Sequence, residues 1–157
     1  MRLREDRTAL ETIPLRLMII AVVASMSVVP AAQALDGLEN REFMRRADLQ
    51  LERIISTAQL LAIAGPGNVR TIDLDFGGDG SVRFESVVIG DRQGGANISS
   101  AILRLSTGAL KVHTATDPPV WMMAETGTGL VLTMPLTKLR MSAVFENRAC
   151  FVLLEVV

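Results

Sequence analysis

Residues 17–35 read LMIIAVVASMSVVPAAQAL and residues 36–64 read DGLENREFMRRADLQLERIISTAQLLAIA, and the join between them decides the fold. The first stretch is uncharged and apolar on every side. A helix rises about 1.5 Å per residue, so Leu17–Leu35 spans nearly the roughly 30 Å of a hydrocarbon core. In the second stretch Met44, Ala47, Leu51, Ile54, Ala58 and Leu61 recur at three- and four-residue spacing, and charged residues occupy most other positions. That period predicts an amphipathic helix with one apolar stripe. Gly65-Pro66-Gly67 ends it, because glycine accepts the left-handed cap and proline cannot continue the ladder.

Outward from that join, Arg2, Arg4, Arg7 and Arg16 precede the apolar run. Basic residues before a span favour an N-terminus inside and the remainder outside. The sequence therefore reads as a cytoplasmic n-region (1–16), a transmembrane helix (17–35), an amphipathic helix (36–65) and an extracellular domain (66–157). A second reading competes with the anchor. Ala32-Gln33-Ala34 is the small-x-small pattern cut by signal peptidases, and Pro30 breaks the helix before it. Cleavage after Ala34 would release a secreted β-sandwich binding module, its ligand held on loops such as Gly90–Gly95 and Thr126–Gly129.

From Val69 onward the period changes to strict alternation. Thr71–Phe76 and Ser81–Glu85 flank a glycine-rich turn and predict a hairpin. Its register pairs Phe76 with Val82 and Leu74 with Phe84, and sets Asp75 opposite Arg83. Further strands are predicted at 98–105, 109–114, 120–123, 130–133, 136–145 and 150–157. Short strands at this spacing, with no second helical pattern, predict an antiparallel sandwich or barrel. The fold class is α+β, a long N-terminal helix followed by an antiparallel β-sandwich-like domain.

Composition narrows the function. The 157 residues carry a net charge of −1 with the signs scattered, unlike the basic stripe of a nucleic-acid surface. Asp73, Asp75 and Asp79 lack the spacing and closing Glu of a calcium loop. Gly90–Gly95 lacks the Lys-Ser/Thr of a phosphate loop, and Gly127-Thr128-Gly129 lacks the third glycine of a dinucleotide turn. His113 is the single histidine and reads as structural, since one imidazole makes no catalytic unit. Cys150, the single cysteine, reads as a buried thiol. Trp121-Met122-Met123 reads as a sandwich edge before it reads as a contact patch. No enzymatic activity, cofactor or metal site is expected. Asn97-Ile98-Ser99 is a glycosylation sequon at a loop-to-strand boundary.

The segment 9–17, ALETIPLRL, together with Gly65-Pro66-Gly67, Ile89-Gly90-Asp91 with Gly94-Gly95, and Arg104–Gly108, resembles small archaeal membrane-anchored type IV pilin-like proteins with class III-like signal peptides. The resemblance implies a non-enzymatic structural or accessory subunit of a cell-surface assembly. It also implies homo- or hetero-oligomers with pilin-like subunits. Glu11 would pair with a neighbouring subunit's N-terminal amine if processing fell between Asp6 and Arg7. Asp6 stands where such proteins usually carry Gly or Ala, and Pro14 and Arg16 interrupt the early helix.

Overall fold

The computed structural model describes the backbone of residues 6–78, 80–146 and 149–157, and the side chains of these except 6–14 and 146. One helix, α1 (Asp6–Ala64), is followed by eight strands: β1 (Val69–Asp75), β2 (Phe84–Ile89), β3 (Ser100–Leu105), β4 (Leu110–Thr114), β5 (Trp121–Ala124), β6 (Leu130–Leu132), β7 (Leu136–Glu146) and β8 (Ala149–Val156). The chain divides into two compact units, Met1–Leu38 and Glu39–Val157.

In the first unit the described side chains from Leu15 to Leu35 are all exposed, and the helix there is apolar enough to cross a membrane, with a mean hydropathy of 2.0. Its two serines return to their own backbone. Ser25 Oγ donates to the Val22 carbonyl at 2.8 Å and Ser27 Oγ to the Val23 carbonyl at 2.9 Å. A hydroxyl satisfied within its own helix removes most of the cost of placing serine in hydrocarbon.

In the second unit the strands form two four-stranded sheets, ordered β1-β7-β8-β5 and β4-β3-β2-β6. They share one core with the helix segment 39–64, which buries Phe43, Ala47, Leu51, Ile54, Ala58 and Leu61. The predicted stripe is correct except at its start, where Phe43 is fully buried and Met44 half-buried. The helix is tied to the edge of each sheet. Arg53 Nη1 donates to the Asp73 carbonyl of β1 at 3.1 Å, while Asp48 bonds to Lys111 and His113 of β4. It thus covers the open side between edge strands β1 and β4. Gly65, at φ 87°, ends the helix with its N–H on the Leu61 carbonyl, and Asn68 Nδ2 donates to the Ala64 and Gly65 carbonyls. The Leu61 and Ala64 carbonyls, two of the last four of the helix, are thereby satisfied.

Two sequence expectations are corrected. Residues 71–76 and 81–85 form no hairpin, because β1 and β2 belong to different sheets. β1 pairs instead with β7, and β2 with β3 and β6. The expected pairs Phe76 with Val82 and Leu74 with Phe84 are absent; Leu74 pairs with Thr137 and Phe84 with Leu105, and Phe76 and Phe84 stack with ring centroids 5.2 Å apart. Helix residue Asn40 fixes the crossing from β1 to β2, with Val82 N–H donating to its Oδ1 at 3.0 Å and its Nδ2 donating to Ser81 Oγ at 2.9 Å. Asp75 bends back to accept from Gly77 N–H at 2.7 Å, and charge pairs across the strands are made instead by Asp73 with Lys138 of β7 and by Arg140 of β7 with Glu155 of β8. The sheets are also not wholly antiparallel, since β5 runs parallel to β8. β5 enters its sheet after a crossing from β4, so no hairpin turn constrains its direction.

Candidate functional site

Three places on the second unit gather polar, reactive or cleft-lining side chains. The first is Asp48, on the helix, facing Lys111 and His113 of β4. Residues two apart on a strand point to one side, and Lys111 and His113 both reach the same carboxylate. Lys111 Nζ donates to Asp48 Oδ2, and His113 Nε2 lies 3.1 Å from Oδ1. Burial pushes the Asp48 carboxyl up, but hydrogen bonds from Lys111 and His113, with their charge, outweigh it and hold it below its ordinary value of 3.8. All three side chains are about one-third exposed, so water screens the pair and its contribution belongs with surface ion pairs, about 0.5–1 kcal/mol. His113 is thus a strap between helix and sheet, in keeping with its structural reading.

A lowered carboxyl pKa stabilises the fold above the unfolded-state value and loses that contribution as pH falls through the folded-state value. The expected result is that Asp48→Asn lowers stability by about 0.5–1 kcal/mol at pH 7. As pH falls below the ordinary carboxyl value of 3.8 and Asp48 takes up its proton, the difference from wild type should shrink towards zero. Urea unfolding of both proteins across that range checks it, and a pH-independent difference would contradict it.

The second place is the end of the sandwich where β5 begins. Met122 N–H donates to the Ile98 carbonyl at 2.8 Å and Asp91 N–H to the Met122 carbonyl at 3.3 Å, so the β2–β3 loop closes the outer edge of β5. Asn97, of the sequon, is exposed in a turn of that loop. Trp121 is 39% exposed and lies against Phe151, ring centroids 5.4 Å apart, while Met122 is fully buried. The segment is an edge strand, as expected. Cys150 departs from expectation: it is half-buried and lines a surface cleft of about 270 Å³ with Pro119, Trp121 and Ala149. Its position second in β8, at the end of the sheet, leaves it short of the centre of the core.

The third is a groove of about 450 Å³ beside the end of β1, lined mainly by Leu74, Met134, Leu136 and Val156, with Asp73 and Lys138 3.6 Å apart. Among the described residues no three His, Cys, Asp or Glu side chains converge in a way that could hold a metal. Ala34 lies exposed within the helix. The side chains of Asp6, Arg7 and Glu11, and the whole of Asp79, lie outside the described residues. Sequence reading missed Asp48, because a charged residue on the wet side of a helix gives no sign of which strand it will meet. The pair Lys111 and His113, basic at alternate positions in a short strand, was the available signal.

No family model, curated protein or solved structure matches this chain.

Proposed function

We propose that this protein is a non-enzymatic, pilin-like structural or accessory subunit of a cell-surface assembly, held in the membrane by residues 17–35 and displaying its β domain outside. One observation carries the reading: the helix is apolar around its whole circumference from Leu17 to Leu35, and every side chain of that stretch is exposed. An apolar helix of this length is unfavourable in water and stable in a bilayer. The basic residues before it support an inside N-terminus. On the pilin-like reading the chain is of archaeal type, and Glu11 would find its cation in the N-terminal amine of a neighbouring subunit processed between Asp6 and Arg7. A domain facing outside would also bring the Asn97 sequon to a glycosylating compartment.

Orientation has a direct test. In a Cys150→Ala background, Glu125→Cys places one thiol on an exposed turn. A membrane-impermeant maleimide should label it in intact cells, and the protein should stay in the membrane pellet through carbonate extraction. Labelling that requires permeabilisation would overturn surface display.

The released form has one observation in its favour: the second compact unit starts at Glu39, so cleavage after Ala34 would leave it whole. Intact mass of the native protein separates the two readings. A start at Leu35 supports the secreted binding module, whereas a start at Met1 or Arg7 supports the anchored subunit.

A further inference from the structure

We propose that β4 is an exchangeable strand, and that the slot between the edge of β3 and Asp48 is a binding site for extended segments with basic side chains at alternate positions. β4 is the resident occupant of that slot. Of the described strands it is the one with no buried side chain. Leu110, Val112 and Thr114 face solvent, and Lys111 and His113 are half-buried against the helix. The strand therefore contributes little apolar burial, the main term that holds strands in place.

Three kinds of contact keep it docked. Its ladder pairs Leu110–Thr114 antiparallel with Ser100–Arg104, Thr114 Oγ1 lies 2.9 Å from Ser100 Oγ, and Asp48 takes both basic side chains. Buried Leu105 and Ala115 bracket it, marking where opening would stop. In the turn before it Gly108 (φ 79°) has open space where a side chain would stand and donates its N–H to the Leu105 carbonyl, while Ser106 is tied to Arg83 by two hydrogen bonds, so the hinge stays in place when the strand opens. Segments with few buried contacts open at the lowest free energy.

Undocking would bare the backbone edge of β3, which any extended chain can join by main-chain hydrogen bonds. Selectivity would come from the opposite wall. Asp48 sits where it meets side chains at positions i and i+2 of the incoming strand, so cations there are favoured and anions repelled. The preferred partner is thus a basic, alternating extended segment.

The test uses the full chain in detergent micelles. By hydrogen–deuterium exchange, amides of residues 110–114 should exchange at least about tenfold faster than those of β8, the partially open strand being the low-stability unit. Lys111→Glu sets a carboxylate against Asp48 and should speed β4 exchange further while β7 and β8 stay protected. That variant should bind a synthetic peptide of sequence GALKVHTA, and bind it at least about tenfold more tightly than GALEVHTA, as expected when one member of a charge pair is reversed. Exchange of β4 in step with β7 and β8 would overturn the proposal, as would equal binding of both peptides or none. Should Lys111→Glu unfold the whole domain, Lys111→Met answers the exchange question alone: acceleration confined to β4 supports separability, and uniform acceleration refutes it.

Discussion

Gly90→Ala is expected to destabilise the β domain by about 3 kcal/mol or more, a large part of the stability of a small domain. Gly90 ends β2 at φ 70°, and a methyl group there would overlap the Met122 backbone carbonyl of β5. Across the same junction, a methyl at Gly129 would lie 2.6 Å from the Gly90 carbonyl oxygen. Three backbones thus cross at van der Waals distance where one sheet meets the other, and neither glycine has room for a side chain. The left-handed conformation alone costs an L-residue about 1–2 kcal/mol, and forcing atoms into a filled site adds about 1–3 kcal/mol. Gly108→Ala is the control, since Gly108 has φ 79° with open space around it. It should lose the conformational part only. Urea unfolding of the two variants measures the gap, and equal losses would show that the junction can relax.

The second large effect is a double dissociation along one helix. Val22→Arg is expected to raise the cost of membrane insertion by about 3–4 kcal/mol, shifting the protein out of the carbonate-resistant pellet. Leu51→Ala is expected to leave insertion unchanged and to cost the β domain about 2–5 kcal/mol. Leu51 is fully buried in the core shared with both sheets, whereas Val22 is exposed. Flotation and urea midpoints, measured on both variants, read the two effects separately. A Leu51→Ala protein that unfolds no earlier than wild type would mean the helix segment 39–64 is not integral to the domain.

Much of this architecture was legible before any coordinates. The apolar run of residues 17–35, the stripe from Ala47 to Leu61, the stop at Gly65 and seven of the strand positions, all but β2, follow from local period and turn chemistry. Pairing was less legible. The spacing of residues 71–85 is that of a hairpin, and the alternation of Leu74, Phe76, Val82 and Phe84 suits one equally well. What broke it was Asn40 and Phe43, more than thirty residues away on the helix, which give the crossing loop a seat. The glycines of Gly90–Gly95 and Gly127–Gly129 read as ordinary loop residues, because a close approach between backbones leaves no trace in local sequence. Asp48 reads as a solvated face for the same reason.

The sequence by itself determined the elements and the two solvents they need. Length, apolarity and periodicity are local properties, and a bilayer or a core selects for them residue by residue. The tertiary structure alone decided which strands pair, that β5 runs parallel to β8, and that Asp48 faces Lys111 and His113 across a slot closed by β4. Those are contacts between residues distant in the chain. Their free energy depends on simultaneous burial and registry of several elements, which no single segment encodes.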